Sequence, residues 1–176
     1  MDDKLYRCLE FDVIRERIAS EAFTESAKRE LLALCPIMDP YHLNQTLNLL
    51  KEACALSELR GRAPLYGYRE VGDSVAYAKK GGVVREPSLL AIASALRVAK
   101  QVKRYVFSDG SGNVSFPMLE EIADELEGLT PLENDISRAI LSESEIADNA
   151  SAQLYDIRRQ IRNANASIRD KLNGII

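Results

Sequence analysis

Apolar residues recur at steps of three and four along most of this chain, and that rhythm makes the helix its building unit. The clearest series is Leu154, Ile157, Ile161, Ala164, Ile168 and Leu172, at steps of 3, 4, 3, 4 and 4. Such spacing puts one narrow stripe on a helix, nearly a heptad seam, of the kind that packs against a single neighbouring helix. Leu43, Leu47, Leu50, Cys54 and Leu59 form a second series, and Leu89, Ile92, Leu96, Ala99, Val102 and Val106 a third. No alternating series long enough for a sheet accompanies them. The expected class is all-α: an irregular multi-helix core over residues 1–150, then the start of a long lever or coiled-coil helix over 151–176.

Breakers divide the rhythm into elements. Leu5, Leu9, Ile14 and Ile18 mark a first helix, and Ala27, Leu31 and Leu34 a second that Pro36 ends. Asp39-Pro40 caps a third, which reaches Arg60 before Gly61 takes a left-handed cap and Pro64 prevents resumption. A short helix is expected around Asp73–Lys80, and a long one from Pro87 to the turn residues 108–113. Others follow over about 117–127 and from Thr130-Pro131 toward Leu141. Ser142 to Asn149 reads as a polar connection with a short extended piece at Ile146, and Ser151 as the cap of the last helix.

Composition limits the setting. With 46% hydrophobic and 28% charged residues, the chain has enough apolar matter for a core and no run long enough to span a bilayer. Cys8, Cys35 and Cys54 are odd in number, lie in helical patterns and form no CxxC, so a disulfide framework or zinc knuckle is not expected. No secretory leader is read, and a reducing cytoplasm fits. The net charge of −4 hides an uneven distribution. Residues 60–108 carry ten cations against three anions and 151–176 five against two, while 109–150 carry eleven anions against one cation.

Most catalytic options fail on inventory. His42 is the only histidine, so neither a histidine triad nor a multi-histidine metal site can form within one chain. Lys79-Lys80-Gly81-Gly82 reverses the order of a phosphate loop, and Gly110-Ser-Gly112 is a lone GxG without a preceding strand. Glu120, Glu121, Asp124, Glu125 and Glu127 read as a solvated helix face instead of a cation site. The chain is therefore expected to hold no catalytic residue, metal or cofactor of its own. Two basic sets are the candidates for binding. Arg97, Lys100 and Arg104 share one side of their helix, with Lys103 nearer its apolar seam, and Arg158, Arg162 and Arg169 share a side of the last helix. Guanidinium rows of this kind suit nucleic-acid phosphate contacts that position a duplex without reading bases. The competing reading is pairing with the acidic block.

A resemblance rests on residues spread along the chain. Leu9-Glu-Phe-Asp-Val-Ile14, then Pro64-Leu65 leading through Ala78-Lys-Lys-Gly-Gly-Val-Val84 to Leu89-Leu90, Pro117-Met-Leu before Ile136–Ile140, and Asp148-Asn-Ala-Ser151 followed by Leu154 and Ile157-Arg158 together resemble the N-terminus of the bacterial MutS-II proteins. Arg85-Glu86 stands where that family usually has serine-proline, and Ser144 where it has glycine. The resemblance implies a MutS-like core feeding a helical lever, truncated here. Its continuation would complete the arms, then supply an ATPase binding ATP and Mg, and a nuclease-type Smr domain. It also implies a homodimeric clamp on DNA, branched DNA included, or on the ribosome, with roles in suppressing recombination and rescuing collided ribosomes, and no membrane partner. A self-contained helical adaptor that docks a protein through the last helix explains the seam equally well. A small helical enzyme is the weakest alternative.

Overall fold

The computed structural model describes residues 8–107 and 114–173. Expectations for Leu5, for the turn at 108–113 with its GxG, and for 174–176 lie outside the described residues. Eight helices and one two-stranded hairpin occur among the described residues, so the fold is mostly helical, as the spacing predicts. They are α1 (Phe11–Ser20), α2 (Glu25–Leu32), α3 (Pro40–Arg60), α4 (Gly72–Lys79), α5 (Glu86–Phe107), α6 (Pro117–Asp124), α7 (Thr130–Ala139) and α8 (Ala152–Asn173). Strands β1 (Ile140–Ser142) and β2 (Glu145–Ile146) lie between α7 and α8. No helix among the described residues is long and apolar enough to cross a membrane.

Side-chain caps start several of these helices. Thr24 Oγ1 accepts from the Ala27 N–H at 3.1 Å, Asp39 Oδ2 from the His42 N–H at 2.9 Å, and Ser151 Oγ from the Leu154 N–H at 3.1 Å. Pro40, Pro117 and Pro131 occupy opening positions, where the missing N–H costs nothing. Gly61 ends α3 at φ 76, ψ −167, a positive-φ extended geometry and not the left-handed cap expected from sequence.

Three helices end earlier than their apolar spacing suggests, and tertiary contacts accompany each end. Expected through Leu34, α2 stops at Leu32, and the Leu34 carbonyl accepts from Arg15 of α1 at 3.3 Å. Cys35 consequently lies beyond the helix, and all three cysteines are exposed and unbridged. Helix α6 stops at Asp124, with the Asp124 and Leu126 carbonyls accepting from Lys103 Nζ at 3.2 and 3.3 Å. Helix α7 stops at Ala139, whose carbonyl accepts from the Ala147 N–H at 2.8 Å, so Leu141 belongs to a strand. The hairpin pairs Ile140 with Ile146 and Ser142 with Glu145, with a register irregularity between Ile140 and Ser142. It contains the extended piece expected at Ile146.

Two compact units interleave in sequence: Met1–Glu70 with Arg97–Gly128, and Val71–Leu96 with Leu129–Ile176. In the first, Leu56, Val106, Phe116 and Ala123 are buried together, flanked by Tyr105 and Leu119. Polar groups fix the same region. Glu52 Oε2 on α3 accepts from the Met118 and Leu119 N–H groups at 3.0 and 3.2 Å, satisfying the exposed donors of α6. Arg60 Nη1 donates to the Tyr105 and Val106 carbonyls at 2.6 and 2.8 Å, and its guanidinium lies 5.9 Å from the Phe116 ring centre. Glu70 accepts from the N–H and Oγ of Ser26 at the start of α2, bonds that hold its carboxyl below the usual range. In the second unit Ala93, Ile136 and Ile140 are buried, with Leu89, Leu90, Ile92, Ala139 and Ile146 packed on them. The register of the hairpin puts Ile140 and Ile146 opposite each other, so β1 and β2 complete that core.

Candidate nucleic-acid interface

The basic residues of α5 do not share one environment. Arg97 and Arg104 are exposed and Lys100 is half-buried, and their spacing keeps them on one side of the helix. Arg104 forms no ion pair with a described residue. Lys103 is directed elsewhere. Besides the two carbonyls at the end of α6, it meets the Asp124 carboxylate at 3.3 Å, where a cation complements the negative end of a helix. That is the intramolecular pairing with the acidic block, and it takes Lys103 out of the row formed by its three neighbours.

On α8 the same competition takes a different form. Arg158, Arg162 and Arg169 follow one face at steps of four and seven. Asp148, in the loop between β2 and α8, meets two of them. One carboxylate oxygen accepts from Arg158 Nη1, and the other from Arg162 Nη1 at 2.6 Å. Arg158 Nη1 also donates to the Ile146 carbonyl at 2.8 Å, tying the first turns of α8 to the hairpin. Arg169 lies further along, where Arg162, Asn165, Ala166, Arg169 and Asp170 line a shallow hollow. In the sequence Asp148 stands out only within the family motif, and nothing there ties it or Asn165 to the arginines. The step of ten from Asp148 to Arg158 crosses a helix start, and no helical or strand period connects them.

The Arg158 hydrogen bond, followed by that of Arg162, holds the Asp148 carboxyl below its ordinary value of 3.8. Because the folded value is the lower one, the clip contributes its full stability above the unfolded value and loses it as pH falls through the folded value. The clip is therefore expected to persist through mildly acidic solution. A carboxyl 13C titration of Asp148 should give a midpoint below 3.8, and a midpoint at or above 3.8 would show that the clip does not form in solution.

The other sequence motifs fall into structural places. His42 is exposed in the first turn of α3. Lys79 and Lys80 lie at the C-terminal end of α4, where the helix presents carbonyls and partial negative charge, the wrong polarity for phosphate. Glu120 Oε1 accepts from the Phe116 N–H at 3.0 Å and from Ser115 Oγ at 3.1 Å, so one member of the acidic block caps the start of α6. Among the described residues, no group of three or more His, Cys, Asp or Glu is arranged to hold a metal ion.

No protein-family model matches the chain. Individual relatives do. Over all 176 residues the chain is 36% identical to an endonuclease MutS2 of Clostridium botulinum (strain Eklund 17B / Type B) and covers 22% of that protein. It is 37% identical over the same span to the endonuclease MutS2 of Clostridium perfringens (strain 13 / Type A), and 35% identical to that of Clostridium beijerinckii, again covering 22% of each. The chain thus spans about a fifth of the length of these relatives.

Proposed function

We propose, on the premise that this chain is homologous along its whole length to part of the MutS2 proteins, that it is the N-terminal, non-catalytic region of a MutS2-type protein. The observation that carries this reading is identity of 35–37% sustained over all 176 residues, which covers core, hairpin and last helix together. The work of the region is mechanical. A MutS-like core and lever base carry nucleotide-driven closure from an ATPase, with its ATP and Mg, to arms that enclose nucleic acid. The whole protein is a cytoplasmic homodimeric clamp and endonuclease on DNA, branched DNA included, or on the ribosome, serving recombination suppression or rescue of collided ribosomes. Its ATPase and nuclease sites lie outside these residues. Transmission of this kind needs packed elements with alternative arrangements more than a local catalytic constellation.

The basic faces of α5 and α8 supply phosphate contacts in this reading, by Arg97, Lys100 and Arg104 and by Arg158, Arg162 and Arg169. One observation favours a second reading, a helical adaptor docking through α8: the seam residues Ile157, Ile161, Ile168 and Leu172 are 46–56% exposed. Reading the gene beyond codon 176 separates the two. Helical sequence followed by GxxxxGK[ST] is the expected continuation. A stop codon directly after Ile176 would overturn the clamp and leave the adaptor.

A further inference from the structure

We propose that Asp148 acts as an internal occupant of an anion site on α8, standing where a backbone phosphate of nucleic acid would bind and yielding to it when the duplex arrives. The inference rests on the nucleic-acid reading of α8 and adds a latch to it. Each oxygen of the carboxylate takes a hydrogen bond from a different guanidinium, Arg158 and Arg162, one helical turn apart. A phosphodiester offers two oxygens to guanidinium groups in the same manner, so one can replace the other without rebuilding the site.

Three features suit exchange better than a permanent brace. Arg158 Nη1 has a second anchor besides the carboxylate, the Ile146 carbonyl at 2.8 Å, which serves to hold half of the cradle in place. Asp148 is 47% exposed and Arg162 55%, so neither charge would be stranded in a dry interior on parting, and water and salt already weaken their attraction. Arg162 also borders the hollow it shares with Asn165, Arg169 and Asp170, which places a second arginine beyond the clip. The carboxylate leaves this pair of arginines with one net positive charge. Its departure doubles that, so nucleic acid meets a muted site that strengthens as it is occupied.

The test is a salt series of equilibrium titrations of the full-length protein with a random-sequence DNA duplex of about 30 base pairs, long enough for several phosphate contacts. Asp148→Asn is expected to tighten binding about threefold to tenfold at low salt and to steepen the dependence of log affinity on log salt by about one. In a background carrying both Arg158→Ala and Arg162→Ala the gain should vanish. A gain that survives there, or unchanged or weaker binding by Asp148→Asn, would overturn the latch. If Arg158→Ala, Arg162→Ala and Arg169→Ala weaken binding while Asp148→Asn does nothing, the latch fails and the nucleic-acid face stands. If no replacement alters binding, the face fails and takes the latch with it. The carboxyl 13C resonance of Asp148 in the unaltered protein gives the same answer without a variant. Saturating duplex should move its titration midpoint back toward the ordinary aspartate value, and a midpoint that stays put would overturn the exchange.

Discussion

Phe116→Ala is expected to destabilise the first unit by about 3–5 kcal/mol, the range for truncating a buried aromatic ring. Phe116 is 3% exposed and packs with Leu56, Val106 and Ala123, the buried residues of that core. The loss combines the transfer energy of the ring with an unfilled cavity. Arg60 would lose the aromatic face beneath its guanidinium as well. For a protein of this size each kcal/mol moves the midpoint by about 2–4 °C, so a thermal scan should show a fall of roughly 6–20 °C. Phe116→Leu, which keeps most of the volume, should cost much less. A fall of under about 2 °C for the alanine variant would mean that this cluster is not the core of the unit.

Arg60→Ala is expected to cost about 2–4 kcal/mol, from two charge-assisted hydrogen bonds and the packing of its stem. Its guanidinium takes the carbonyls of Tyr105 and Val106 in the last described turn of α5. Positive charge there also suits the helix dipole. Tyr105 reinforces the junction, its hydroxyl donating to the Gly61 carbonyl at 2.6 Å, so α3 and α5 hold each other's ends. Arg60→Lys should recover only part of the loss, because one ammonium does not reproduce a fork placed over the Phe116 ring. Denaturant unfolding of the two variants and the parent chain reads the difference. Equal midpoints for lysine and arginine would show that charge alone matters.

These two residues also mark where the sequence was silent. Helix number, the proline starts, the Thr130-Pro131 opening and the extended piece at Ile146 followed from local chemistry, because period and capping are written within a few residues of the element they shape. Arg60 looked like the last residue before a glycine, and Phe116 like an unremarkable neighbour of Pro117. Their importance depends on α3 meeting the end of α5 and the start of α6, a contact between segments tens of residues apart. The early stops of α2, α6 and α7 have the same origin: Arg15, Lys103 and the Ala147 N–H each take carbonyls at or just past a helix end whose local pattern would have allowed another turn.

The candidate binding face was half legible. Helical spacing gave the rows Arg97, Lys100 and Arg104, and Arg158, Arg162 and Arg169, since sharing a face is a property of one helix. It also flagged Lys103 as lying nearer the apolar seam, the side from which α6 draws it to Asp124. Which cations would meet an anion of the same chain was not legible, because a salt bridge across a loop has no period. The acidic block was visible as a charge run, yet it contains members with separate tasks: Glu120 on its own helix start, Asp124 on Lys103, and Asp148 on two arginines.

From Arg159 to Asn173 every described residue of α8 is exposed. That stretch of helix lacks the packed neighbours that make most protein helices all-or-none, so its helicity is governed by nearest-neighbour helix–coil statistics. The clip at Arg158 and Arg162 then acts as a nucleus: it has already fixed the first turns, and each further residue adds one hydrogen bond to an existing helix instead of starting a new one. Helical order in α8 is accordingly seeded beside the hairpin, and whatever packs against Ile161, Ile168 and Leu172 would turn a graded, temperature-sensitive segment into a cooperative rod.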